Sequence, residues 1–107
     1  MSYNIAKSYS SLGKKVILVG ADLRNPQLHN LLGMKRENLG LSTFLNDVNY
    51  NDLDKLIQKG RSINEMDYLF SGSIPPNPSE LLMRPRMKEL LEILKSTYDF
   101  IIIDTAP

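Results

Sequence analysis

Val16-Ile17-Leu18-Val19-Gly20-Ala21-Asp22-Leu23-Arg24 sets four apolar residues in a row ahead of a Gly-Ala-Asp loop. A run without alternation is apolar on both faces of the pleat, as a parallel strand covered by helices on both sides requires. Upstream, Ile5, Tyr9 and Leu12 recur at i, i+4, i+7 and predict an amphipathic helix with those residues on its inner face. Gly13 stops that helix, and Lys14 and Lys15 follow beside its negative end. A second all-apolar run, Phe100-Ile101-Ile102-Ile103, predicts another buried strand, and Tyr68-Leu69-Phe70 a short third one.

Helices fill the spaces between. Asn25-Pro26 opens one through Leu28, Leu31 and Leu32. Ser42 is placed to cap a turn carrying Phe44 and Leu45, and Asp52 one carrying Leu53, Leu56 and Ile57 that ends at Gly60. Asn77-Pro78-Ser79-Glu80 is a helix start of cap, Pro and Glu, and Pro85 interrupts that helix or begins another. Met87, Leu90, Leu91 and Leu94 form a core-facing stripe. Strands alternating with helices predict an α/β fold, a three-layer α/β/α arrangement with a mostly parallel sheet.

The chain has 107 residues, enough for one small domain. Hydrophobic residues make up 42% and charged residues 23%, a globular balance that excludes disorder. With no cysteine there is neither a disulfide framework nor a thiolate metal site. The single histidine, His29, cannot build a multi-histidine centre. A net charge of +1 gives no electrostatic case for nucleic acid. No stretch approaches the roughly 18 apolar residues of a membrane helix, so the chain reads as soluble and not itself inserted in a bilayer. It opens inside a helix and stops just after a strand, with three strands visible, so residues 1–107 read as a single partial domain of something larger.

Asp22 follows the first strand and Asp104 the last. In parallel α/β sheets, ligands bind past the carboxyl ends of strands. Two carboxylates there suit Mg²⁺, which takes a few carboxylates plus water and phosphate oxygens. Each also has a plain alternative as a turn cap. Arg24 can meet a phosphate or a carboxylate, or form a surface ion pair.

The same residues carry a family resemblance. Val16 through Arg24 resembles the second nucleotide motif (Walker A′) of bacterial tyrosine kinases, the BY-kinases of capsular and exopolysaccharide synthesis: an apolar strand, then Asp-x-Asp-x-Arg. Ile101-Ile102-Ile103-Asp104-Thr105-Ala106-Pro107 resembles their Walker B motif. Arg24-Asn25-Pro26-Gln27-Leu28-His29 matches the family's Arg-x-Pro-x-x-His, and Gly40-Leu41-Ser42 its Gly-Leu-Ser. The run from Gly72 through Pro75-Pro76-Asn77-Pro78-Ser79-Glu80-Leu81-Leu82 is the most specific match, and separates this family from the related partition-type and division-site ATPases. The helix around Asn4-Ile5-Ala6 resembles the one that follows the family's P-loop.

The resemblance implies a P-loop-NTPase-like fold whose P-loop strand and C-terminal part lie outside these residues. It implies an ATP-dependent, autophosphorylating protein-tyrosine kinase that regulates polysaccharide synthesis and export. Asp22 and Asp104 would be its catalytic and Mg²⁺-holding carboxylates, with Arg24 an accessory nucleotide contact. ATP and Mg²⁺ would be the cofactors of the complete domain, and the isolated chain is expected to be inactive. Partners would be other subunits of the same protein and a membrane co-polymerase segment, on the cytoplasmic side of the bacterial inner membrane. Two departures stand out. Gly20 occupies the place of the motif's first Asp, and Ala106 replaces the first Pro of the Walker B tail. The alternatives are a non-enzymatic pseudokinase that scaffolds polysaccharide assembly and a partition-type ATPase. Tyr3, Tyr9, Tyr50, Tyr68 and Tyr98 are scattered, with Tyr9 and Tyr68 expected in the core.

Overall fold

The structure, a computed structural model, describes residues 2–35, 38–60 and 65–105. Ten elements follow in order: α1 (Ser2–Ser11), β1 (Val16–Gly20), α2 (Leu28–Leu31), α3 (Leu41–Asn46), α4 (Leu53–Leu56), β2 (Ile57–Gln58), β3 (Asp67–Leu69), α5 (Pro78–Met83), α6 (Pro85–Lys95) and β4 (Phe100–Asp104). The strands form one sheet in the order β2-β3-β1-β4. β1 runs parallel to both neighbours, pairing Ile17 with Asp67 and Val16 with Phe100. The expected three-layer, mostly parallel arrangement is what forms.

Alternation along β1 divides the core between the two faces. Val16 and Leu18 pack with Ala6 of α1, Leu28 of α2, Met66 and Phe70 on one side. Ile17 and Val19 pack with Leu69 and with Leu41, Phe44, Leu81, Leu90 and Leu94 from the helices of the other. All five residues of β1 are buried, as its unbroken apolar run requires.

Several local expectations give way. Among the described residues β4 is paired on one side only, by β1, so four of its residues are half-buried and Ile103 is exposed where full burial was expected. Ile57 leaves the turn that carries Leu53 and Leu56 and enters β2, a two-residue strand antiparallel to β3. Helix α1 turns its small residues inward. Ala6 and Ser10 are buried, whereas Ile5 is 53% and Leu12 73% exposed. Small side chains let α1 lie close against β1 and β4, and that proximity outweighs the larger apolar stripe. Tyr9 accordingly lies outside the core and stacks on Phe100, ring centroids 4.2 Å apart. Tyr68 is half-buried beside Phe70.

Helix starts shift for identifiable reasons. α2 begins at Leu28, two residues past Pro26. Gly40, not Ser42, precedes α3, and its N–H donates to Thr43 Oγ1 at 3.1 Å. Pro85 begins a new helix, as one of the two expectations had it. Arg86 is 7% exposed at the head of α6. Its Nε donates to Phe44 O at 3.0 Å, its Nη2 to Asp47 O at 3.3 Å and to Tyr50 O, and its Nη1 to Glu89 at 2.8 Å. The guanidinium also lies 3.7 Å from the centre of the Phe44 ring. One buried cation thereby ties α6 to α3 and the chain after it.

Candidate functional site

The carboxyl ends of β1 and β4 lie side by side, Gly20 paired with Asp104, and Ala21 N–H donates to Asp104 O at 2.8 Å. Both Asp22 and Asp104 therefore stand at one edge of the sheet, as expected. Asp22 lines a cavity of about 370 Å³ together with Leu23, Arg24, Pro78, Ser79 and Thr105, whereas Asp104 lies outside that lining. Residues opposite one another on parallel strands project to the same face, so Asp104 shares the face of Gly20. A Cβ at position 20 would meet Leu28 Cδ2 at 3.4 Å and Ser71 Oγ at 3.1 Å, on the α2 side of the sheet.

Asp22 is half-buried, and its Oδ1 accepts from Arg24 N at 3.2 Å and Asn25 N at 3.1 Å. The turn-capping role weighed from sequence thus operates, on one oxygen. Among the described residues no hydrogen bond engages Oδ2 of Asp22 or the carboxylate of Asp104. Arg24 forms no surface ion pair among the described residues; its Nη2 donates to Ser79 Oγ at 3.1 Å. His29 is half-buried in α2. Ala106 and Pro107 lie outside the described residues.

Two carboxylates at a strand edge fit Mg²⁺, an ion that keeps water and phosphate oxygens in most of its coordination shell. Among the described residues no group of three or more His, Asp or Glu side chains could cage an ion without such help.

The Gly-Leu-Ser and Pro-rich motifs form one unit. Leu41 N donates to Phe70 O at 2.7 Å, Ser42 N to Ser71 O at 2.9 Å, and Ser42 Oγ to Ser73 O at 2.7 Å. Gly72 turns the chain at φ +80°, and a Cβ on Gly40 would meet Gly72 N at 2.6 Å. Asn77 precedes α5 without capping it; the hydrogen bond from Arg84, and after it that from the Asn77 side chain, holds the Glu80 carboxylate below its ordinary pKa. The sequence reading missed the cavity walls Ser79, Pro78 and Thr105 and the hydroxyl of Ser71. Gly72 between Ser71 and Ser73, and Gly40 two residues before Ser42, were the available signal of a close backbone approach.

The fold is that of an α/β domain of the P-loop NTPase type. No protein-family model matches the chain. It is 44% identical over 107 residues to a putative tyrosine-protein kinase in the cps region of Klebsiella pneumoniae, matching 100% of this chain and 14% of that protein. The kinase domain of Escherichia coli tyrosine kinase ETK superposes with a TM-score of 0.84 at 40% identity, over 99% of this chain and 40% of that one. The septum site-determining protein MinD of Pyrococcus horikoshii, solved with Mg-ADP, superposes with a TM-score of 0.71 at 26% identity, over 96% of this chain and 41% of that one. The chain is similar along its whole length to bacterial tyrosine kinases, and spans less than half the length of these proteins.

Proposed function

We propose that residues 1–107 are the central part of the ATP-binding domain of a protein-tyrosine kinase that autophosphorylates and regulates capsular or exopolysaccharide synthesis and export. The observation that carries this is the in-register pair of β1 and β4, which sets Asp22 and Asp104 at one sheet edge within a chain that matches kinase relatives along its whole length. Asp22 and Asp104 would hold Mg²⁺, which supplies charge neutralisation at the phosphates when bound. Arg24 lines the cavity beside Asp22, and its guanidinium suits a phosphate oxygen. The partners proposed are further subunits of the same protein and a membrane co-polymerase segment, at the cytoplasmic face of the inner membrane. Among the described residues no helix is long and apolar enough to cross a membrane.

Gly20 favours a second reading, a scaffold that has lost catalysis, because it puts a hydrogen where the family motif has a carboxylate. The test is tyrosine phosphate formed by the complete gene product with ATP and Mg²⁺, read by mass spectrometry. The kinase reading expects phosphotyrosine that Asp104→Asn abolishes. The scaffold reading expects none until Gly20→Asp is introduced. Phosphotyrosine unaffected by Asp22→Asn and Asp104→Asn together contradicts both.

A further inference from the structure

The chain after β3 leads into the Pro-rich run, and helix capping does not explain the serines at its two ends. Ser71 is 4% exposed, one residue beyond Phe70. Its Oγ–H donates to Gly20 O at 2.6 Å, and the same Oγ lies 3.2 Å from Asp22 O. Those two carbonyls flank Ala21, whose N–H is already held by Asp104 O at 2.8 Å. The Gly20–Ala21 peptide is therefore held by Asp104 O of β4 on one side and by the Ser71 hydroxyl on the other, and the same hydroxyl reaches the Asp22–Leu23 peptide. Ser71 is itself fixed, since its carbonyl accepts from Ser42 N at 2.9 Å and the next residue, Gly72, makes the turn. At the far end of the same run, Ser79 accepts from Arg24 Nη2 at 3.1 Å. The segment from Ser71 to Ser79 thus holds the loop of Asp22 and Arg24 at both ends, and anchors to Gly40-Leu41-Ser42 behind.

The geometry points to Ser71, assisted by Ser79, as a positioning residue that sets the Asp22–Arg24 loop for a Mg²⁺–nucleoside diphosphate unit. This rests on the nucleotide-site reading above, and goes beyond it by assigning the Pro-rich motif a task at that site. A group held within a fraction of an ångström needs partners that are themselves locked, and Ser71 meets that condition.

Amide hydrogen exchange of the isotope-labelled chain tests the latch without any nucleotide. Ser71→Ala is expected to speed exchange at Ala21, Arg24 and Asn25 by about tenfold relative to Ile17 and Leu18 in β1, and Ser71→Thr to restore most of the protection. Uniform acceleration along β1 and the loop, or none, overturns the proposal. If Ser71→Ala does not fold, Ser79→Ala on the surface takes its place. It is expected to change the exchange and chemical shift of the Arg24 guanidinium protons, and Ser79→Thr to return them; an unchanged Arg24 signal overturns the latch at that end. In the complete gene product, Ser71→Ala is expected to weaken Mg²⁺–ADP binding about tenfold and leave metal-free ADP binding unchanged. Equal weakening of both overturns the positioning role. A wild-type product that binds no Mg²⁺–ADP refutes the nucleotide-site reading instead, and the exchange data still decide whether the latch exists.

Discussion

Gly40→Ala probes the unit on which the candidate site is built. Gly40 has φ 177°, an extended conformation open to alanine, so backbone strain contributes nothing. The cost comes from contact. The new Cβ would lie 2.6 Å from Gly72 N and 2.9 Å from Gly72 Cα, and would press on Phe70 O. All three neighbours are backbone atoms and cannot swing aside. Relief requires the two segments to part, which strains Leu41 N–Phe70 O and Ser42 N–Ser71 O, now 2.7 and 2.9 Å. Two weakened backbone bonds at about 1 kcal/mol each, with about 1–3 kcal/mol of overpacking, outweigh the ~0.4–1 kcal/mol gained from a stiffer unfolded chain. The expected net loss is about 2–4 kcal/mol, read by urea unfolding as a midpoint shift of roughly 1–2 M with an unchanged slope. Gly33→Ala is the control. Gly33 has φ +67° and open space around its Cβ position, so it should lose only the roughly 1 kcal/mol of a left-handed alanine. Equal losses from the two substitutions would refute the close-approach account.

Arg86→Met should cost about 2–4 kcal/mol, because it removes the cation that serves the carbonyls of Phe44, Asp47 and Tyr50, whereas Glu89→Gln should cost less than about 1 kcal/mol at an exposed carboxylate; urea unfolding of both variants checks the contrast. Burial first, then the hydrogen bond to Asp67, pushes the Tyr98 hydroxyl well above its ordinary pKa, so the folded state keeps that proton longer than the unfolded one. Its stabilisation is complete below about pH 10 and is lost as pH rises further, and Tyr98→Phe should flatten that alkaline decline in thermal unfolding. Gly20→Asp should fold with a loss under about 2 kcal/mol, since its Cβ asks only a small shift of Ser71 Oγ and Leu28 Cδ2; a chain that fails to fold would show that Ser71 and Leu28 cannot give way.

The central strand was legible because an unbroken apolar run has one stable place in an α/β sheet, and the stripe of Leu90 and Leu94 because its period is helical. The inward face of α1 was not. Periodicity ranks residues by hydrophobicity, but Ala6 and Ser10 are buried because small side chains allow close packing. β2 was hidden because two residues carry too little pattern to separate Ile57 from the helix before it. At the site, Asp22 and Asp104 were legible as acids that end strands. That Asp22 and Thr105 line one cavity was not, because the cavity is closed by Pro78 and Ser79, far away in sequence. Ser71 and Ser79 were invisible as partners because each joins residues about 50 positions away.

The central claim is that the carboxylates ending β1 and β4 hold a Mg²⁺–nucleotide unit. Its most direct test is calorimetric titration of the complete gene product with ADP, with and without Mg²⁺, for the wild type, Asp22→Asn and Asp104→Asn. The account predicts Mg²⁺-enhanced binding that each substitution weakens by tenfold or more, about 1.4 kcal/mol, with metal-free binding unchanged. Wild-type affinity for Mg²⁺–ADP in the double variant would contradict it.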